Sequence, residues 1–160
     1  MLNVFKDGRS CMSTIKKSAL VNHSAEKIYD LVNSVDRYPD FLPWCGGASI
    51  DEQSKLHMVA EITIGYRGIN KAFKTSNELL RPTETLPGGI KMNLLEGPFK
   101  QLDGKWTFTP LDTQGSRIEF ELSYQFSSVL VAKLIGPVFD RIAETFVDSF
   151  VRRAEELNGQ

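Results

Sequence analysis

The chain has 160 residues, of which 41% are apolar and 24% are charged, and its formal net charge is −1. This size and composition predict one globular domain with a real core, and exclude an intrinsically disordered protein. The near-neutral charge argues against a dedicated DNA-binding protein, because such proteins are usually basic overall. Two cysteines make no disulfide framework, and no apolar run reaches the roughly 18 residues that span a bilayer, so we expect a cytoplasmic protein.

The first third of the chain predicts one strand and two short helices. Residues 1–11 are expected to be a flexible N-terminal arm, and residues 12–158 a single domain. The apolar pattern predicts a strand over 14–21 and an amphipathic helix over 25–33, which Ser24 would cap. A second short helix is expected at 36–41.

Alternating apolar residues then predict antiparallel strands. They lie around residues 56–64, 73–79, 90–94, 99–110 and 118–126. Within 99–110, Gly104 is interpreted as a bulge in one strand, because a turn there would leave very short arms.

The chain ends in a predicted amphipathic helix over residues 134–157, in which Gly136-Pro137 is expected to cause a kink or a restart. The 20 or so residues after Pro137 would span about 30 Å, enough to cross a small sheet. The predicted fold class is therefore α+β, with a curved antiparallel sheet wrapped around the last helix. Such an arrangement readily leaves a cavity between the sheet and the helix.

Catalytic or metal chemistry finds little support in the sequence. Only His23 and His57 could act as the histidine base that activates a serine or cysteine nucleophile, and both are in positions typical of structural or solvated residues. No His and Cys residues have metal-ligand spacing. We therefore expect no metal site, no catalytic residue and no required cofactor.

Large apolar side chains are the main functional signal. Plain core packing is the simpler explanation for any one of them, but together they predict a pocket, because pockets for apolar ligands are lined by such residues with a few polar anchors. Tyr38, Tyr124 and Asn77 are the candidate anchors. The predicted pocket residues are Tyr38, Phe41, Trp44, Ile62, Trp106, Phe108, Phe120, Tyr124, Phe139, Ile142 and Phe146.

The segment RYPDFLPWC, residues 37–45, is unusually apolar for a connection between a helix and a strand. Our hypothesis is that it is a lid over the mouth of the cavity, held down by Phe41 and Trp44, and the alternative is that it plugs one end of the core.

A set of basic residues on the predicted strands could merge into one surface patch. Such a patch would suit ribosomal RNA or an anionic membrane, which are bound largely through phosphate charge, while the alternative is an ordinary solvated face. The residues are Arg67, Lys71, Lys74, Lys100 and Lys105.

Three longer segments resemble the coenzyme Q-binding START-domain family. They read SAEKIYDLVNSVDRYPDFLPWC, EGPFKQLDGKWTFTPL and IEFELSYQF, and the resemblance runs from about Ser13 to Leu157. It implies a helix-grip (START/Bet v 1-like) fold of six to seven strands, shared with the polyketide cyclase-like superfamily. It also implies a hydrophobic pocket under the long C-terminal helix.

Three functions follow from the resemblance. The first is non-enzymatic binding of ubiquinone or a related isoprenoid lipid in support of respiration, with peripheral contact with the inner membrane. The second follows from the family's branch of bacterial ribosome association toxins, and is binding of the 50S subunit that blocks subunit joining. The third, which the residues support least, is a polyketide cyclase-like enzyme.

Overall fold

The computed structural model describes residues 12–112 and 114–158, and the backbone of residues 2–4. Two α-helices, α1 (Ala25–Asn33) and α2 (Val129–Asn158), and one 3₁₀ helix (Val35–Asp40) accompany eight strands. The strands are β1 (Leu2–Val4), β2 (Ser13–Val21), β3 (Cys45–Gln53), β4 (His57–Tyr66), β5 (Ile69–Leu80), β6 (Gly88–Glu96), β7 (Phe99–Pro110) and β8 (Ser116–Phe126).

All eight strands form one antiparallel sheet in the order β1-β2-β8-β7-β6-β5-β4-β3. The seven strands from β2 to β8 and the long final helix confirm the predicted α+β, helix-grip architecture. Of the arm predicted over residues 1–11, only Leu2–Val4 are described, and they pair with β2. The prediction for residues 1 and 5–11 lies outside the described residues.

Two strand predictions are corrected by the sheet. The edge strand β3 was not predicted, because most of its residues are at least partly exposed and Gly46-Gly47 interrupt the apolar pattern. Gly104 is not a bulge: the pairing of β7 is regular there and shifts instead between Phe99 and Gln101. A Cβ at Gly104 would lie 2.3 Å from Met92 Cε, so the glycine leaves room for a core side chain.

The first helix is fixed at its start and along one face. The Ser24 hydroxyl accepts a hydrogen bond from the Lys27 backbone N–H at 3.1 Å, which caps α1 as predicted. Tyr29 on the buried face packs edge-on against Phe108 of β7, with 5.6 Å between ring centroids.

The final helix α2 runs unbroken for 30 residues, about 45 Å, along the inner face of the sheet. The predicted restart at Gly136-Pro137 does not occur. Pro137 is exposed, so its ring points to solvent and the backbone carbonyl that it leaves unpaired can be hydrated. Among the described residues, no helix is both long and apolar enough to cross a bilayer.

Candidate functional site

A small apolar cavity of about 50 Å³ lies between the sheet and α2. Twelve of its thirteen lining residues are apolar, and the exception is Thr75. The lining residues are Trp44, Ile62, Ile64, Phe73, Thr75, Met92, Leu102, Phe120, Leu122, Phe139, Ile142, Ala143 and Phe146.

Strand alternation and helical spacing bring these residues together. On β4 and β5, Ile62 faces Phe73 in the register, so both side chains lie on the inner face of the sheet. On α2, Phe139, Ile142 and Phe146 recur at steps of three and four residues and close the opposite side.

Six of the eleven predicted pocket residues line this cavity: Trp44, Ile62, Phe120, Phe139, Ile142 and Phe146. The other five, Tyr38, Phe41, Trp106, Phe108 and Tyr124, belong to the packed core behind or beside it. Trp106 shows why: it is buried among Phe108, Phe120, Phe146 and Phe150, with centroid distances of 4.5 to 5.9 Å.

Sequence reasoning missed seven wall residues: Ile64, Phe73, Thr75, Met92, Leu102, Leu122 and Ala143. Their signal is the same period-two alternation that predicted the strands. Phe73 and Thr75 share the inner face of β5, and Leu122 shares that of β8 with Phe120.

The two tyrosines proposed as polar anchors already have partners. The buried Tyr38 hydroxyl donates to the Val32 carbonyl at 2.6 Å, and burial raises the pKa of Tyr38. The Tyr124 hydroxyl donates to Asp140 Oδ1 on α2. Burial and then this hydrogen bond raise the pKa of Tyr124. Neither hydroxyl is therefore aimed at the cavity as an unused donor.

Asn77 is the remaining anchor candidate. It is only 5% exposed, and its Oδ1 has no hydrogen-bond partner in the described part of the chain. Asn77 follows Thr75 on the inner face of β5 and faces Met92 of β6 in the register. Both neighbours line the cavity, so an unsatisfied polar group lies next to its wall.

The segment 37–45 is part plug and part cavity wall. Phe41 packs against Tyr38 and Phe150, with centroids 6.1 and 5.4 Å apart, and Arg153 lies over its ring. Trp44 instead lines the cavity and tilts against Phe146 at 6.1 Å. The two half-buried rings of one segment therefore have different neighbours.

The cavity is far smaller than the roughly 300–1,000 Å³ of typical ligand pockets. A quinone ring or an isoprenoid tail would enter only if wall side chains moved. Half-buried Trp44, Phe73 and Phe146 are the wall residues best placed to move, because all three are aromatic rings with partial access to solvent.

Acid–base groups are absent from the cavity wall, which contains no carboxylate and no histidine. His23 is buried elsewhere, and burial lowers its pKa. His57 hydrogen-bonds Ser76 at 2.7 Å. Burial raises the pKa of the Cys45 thiol, which disfavours a nucleophilic thiolate. Within the described residues, no group of three or more His, Cys, Asp and Glu is placed to hold a metal ion.

The five predicted basic residues do not all share one face of the sheet. Lys74 is paired with Asp51 at 2.8 Å and approaches Glu61 at 4.0 Å on the outer face. Lys71 lies on the other face, since it pairs with Ile64 of the cavity wall.

Of the other three, Arg67 and Lys100 lie at the same end of the sheet as Lys71, and Lys105 lies away from them. Arg67 is at the tip of the β4–β5 hairpin and Lys100 follows the β6–β7 turn. Lys105 is exposed in the middle of β7, opposite Lys91 of β6.

The fold and the motifs agree with comparisons to known proteins. The sequence model of the family described as polyketide cyclase/dehydrase and lipid transport matches residues 21–151. The ribosome association toxin RatA of Vibrio cholerae is 43% identical over 150 residues, which cover 93% of this chain and all of that protein.

Two more distant proteins are also similar. The mitochondrial coenzyme Q-binding protein COQ10 of Drosophila melanogaster is 26% identical over 159 residues, covering 97% of this chain and 64% of that protein. The crystal structure of the Zhui aromatase/cyclase from Streptomyces sp. R1128 superposes with a TM-score of 0.74 at 15% identity, covering 90% and 94% of the two chains. At that identity, the superposition bears on the fold alone.

Proposed function

This chain belongs to the polyketide cyclase/dehydrase and lipid transport family, and we propose that it acts there as a ribosome-associating factor rather than as an enzyme. The observation that carries the proposal is the high identity over the full length of proteins named ribosome association toxins. The cavity wall lacks acid–base groups, which favours a binding role over a catalytic one. We further propose the 50S subunit as the partner, blockage of subunit joining as the effect, and the cytoplasm as the location.

The outer face of the sheet offers one specific contact for ribosomal phosphates. Lys91 and Lys105 face each other on neighbouring strands, both exposed, and neither has an ion pair within the described residues. On their other sides, Lys91 faces Glu78 of β5 and Lys105 faces Glu121 of β8. Like charges directly opposite each other are unfavourable in an isolated sheet. Glu78 and Glu121 compensate this repulsion in part, and a phosphate bound between the two lysines would offset the rest, so we assign this pair to the ribosome contact.

Re-association of purified ribosomal subunits tests the proposal. Adding the protein to 30S and 50S subunits before raising the magnesium concentration should reduce the 70S fraction in a sucrose gradient. The double variant Lys91→Glu/Lys105→Glu should restore the 70S peak. The matched control Lys74→Glu changes a lysine already neutralised by Asp51, and should still inhibit. Full 70S formation with excess wild-type protein would contradict the proposal.

A second candidate function is storage or transport of an apolar ligand of the ubiquinone type. It is favoured by the apolar cavity with the unsatisfied Asn77 Oδ1 beside it. Ubiquinone would be a bound ligand and not a catalytic cofactor. Native mass spectrometry of the purified protein, followed by organic extraction, tests this function. A stoichiometric isoprenoid would support it, and a protein that stays empty after incubation with ubiquinone would contradict it.

A cyclase-like activity is the third possibility and has the weakest support. The likeness to an aromatase/cyclase rests on the fold, and no wall residue of the cavity is an acid or a base.

A further inference from the structure

One end of the molecule combines exposed leucines with unpaired cations. Three connections meet there: the β4–β5 hairpin, the β6–β7 turn and the junction between β8 and α2. The backbone N–H of Ser127 donates to the Pro98 carbonyl at 3.0 Å, which joins the junction to the turn. Gly97 packs against Phe73 of β5, where a Cβ would lie 2.6 Å from the Phe73 Cβ. We call residues 66–71, 95–100 and 127–134 the cationic end.

Several large apolar side chains on the cationic end are exposed. Leu130 and Leu134 are 66% and 64% exposed and lie one turn apart on the same face of α2. Val129 on the helix and Leu95 near the end of β6 are each about half exposed. Two exposed leucines on one helix face, with a third at the same end of the sheet, are more than the isolated apolar residues that every surface has.

The charge of this end has the opposite sign to that of the whole chain. Its three segments contain four cations, Arg67, Lys71, Lys100 and Lys133, and one acid, Glu96, whereas the chain carries −1 in total. No ion pair joins any of the four cations to a described residue. The cationic end therefore presents leucines together with cations that no described carboxylate neutralises.

We propose that the cationic end docks on the surface of an anionic lipid bilayer. Lysine and arginine would meet lipid phosphates, while the leucines of α2 would enter the boundary between headgroups and acyl chains. Ribosomal RNA would satisfy only the first requirement, because leucines left exposed at 64% or more gain nothing from a phosphate backbone. The combination of both features selects a membrane over RNA.

The position of the cavity is consistent with this orientation. Its wall residues Ile64 and Phe73 each lie two residues from the cationic end, on the two strands of the β4–β5 hairpin. Docking by this end would bring that side of the cavity close to the bilayer. The docking proposal itself rests on the exposed leucines and cations, and is independent of ribosome association.

Sedimentation with lipid vesicles tests the proposal. We expect wild-type protein to pellet with vesicles made of equal parts phosphatidylglycerol and phosphatidylcholine, and at least tenfold more weakly with phosphatidylcholine alone. The variant Leu130→Ser/Leu134→Ser should lose at least tenfold in affinity for the anionic vesicles. Its matched control is Leu56→Ser/Leu86→Ser, which removes two equally exposed leucines outside the cationic end and should bind as wild type.

Three results would overturn the proposal. The first is no binding of the wild type to anionic vesicles. The second is full binding by Leu130→Ser/Leu134→Ser when Lys100→Glu/Lys133→Glu has lost it, since this would reveal a purely electrostatic surface of the kind that binds RNA. The third is loss of 50S binding by the leucine variant, which would place the ribosome on this end. Lys91→Glu/Lys105→Glu should bind vesicles normally, so failure of ribosome association leaves the docking test intact.

Discussion

Removing the indole of Trp44 separates the two roles that the segment 37–45 combines. Trp44 is the only residue of this segment on the cavity wall, while Phe41 packs against Tyr38 and Phe150 away from the cavity. Both rings are half-buried. Trp44→Ala and Phe41→Ala are therefore matched in position and burial, and differ in their contact with the cavity.

The expected effects can be estimated from these contacts. Truncating a fully buried aromatic residue costs about 3–5 kcal/mol, so half-buried rings should cost about 2 kcal/mol each, or about 1 M in the urea midpoint. An apolar ligand in the cavity would lose on the order of 50 Å² of contact with the indole, worth about 1.3 kcal/mol. Trp44→Ala should thus weaken ligand binding about tenfold, and Phe41→Ala should leave it unchanged.

The assay pairs urea unfolding with titration of the fluorescent apolar probe N-phenyl-1-naphthylamine. Equal loss of stability in both variants, with loss of probe affinity in Trp44→Ala alone, would support the assignment. Equal loss of probe affinity in both variants would refute it and identify the whole segment as a core plug.

Three other changes test the packing and the charges. Gly97 has φ +150° and lies against Phe73, so Gly97→Ala should lower the free energy of unfolding by about 2 kcal/mol in urea titrations; an unchanged midpoint would contradict the close packing. Burial raises the pKa of Asp140, so the folded state binds this proton more tightly and wild-type stability falls as pH rises from about 4 through that raised pKa. Because an asparagine does not titrate, the urea midpoint of Asp140→Asn relative to that of the wild type should increase as pH rises across this range. A relative midpoint that decreases with rising pH would contradict this prediction. Arg81 pairs with Asp30 and Glu26 on the surface, so Arg81→Ala should cost only about 0.5–1 kcal/mol, and less in 1 M salt; a salt-independent loss would point to packing instead.

Much of the fold could be predicted because local patterns and tertiary packing agree. β8 alternates strictly between inner apolar and outer polar residues, and α1 begins at a serine whose hydroxyl does cap it. The edge strand β3 escaped prediction because pairing with β4, and not an apolar face of its own, makes it a strand. Gly104 was assigned as a bulge because sequence does not reveal that Met92 fills the space beside it.

The candidate site was only half predictable for a related reason. An inward-facing aromatic residue, such as Trp106 or Phe146, looks the same in sequence whether it contacts a void or another ring. The partners of Tyr38 and Lys74 were also hidden, because the Val32 carbonyl and the Asp51 carboxylate come close to them only in the folded chain. Charged surface patches are hard to predict from sequence for a similar reason, since a register step of one residue puts neighbouring lysines on opposite faces of the sheet.

Ribosome association is tested most directly by equilibrium binding of the fluorescently labelled protein to purified 50S and 30S subunits. Binding is measured by fluorescence anisotropy at a series of salt concentrations. We expect binding to 50S and not to 30S, with an affinity that falls as salt rises. In Lys91→Glu/Lys105→Glu, binding should weaken and the slope of log K against log salt should decrease in magnitude by about 2. No binding to 50S at low salt would contradict the claim that this protein is a ribosome-associating factor, and equal affinity for both subunits would contradict 50S as its specific partner.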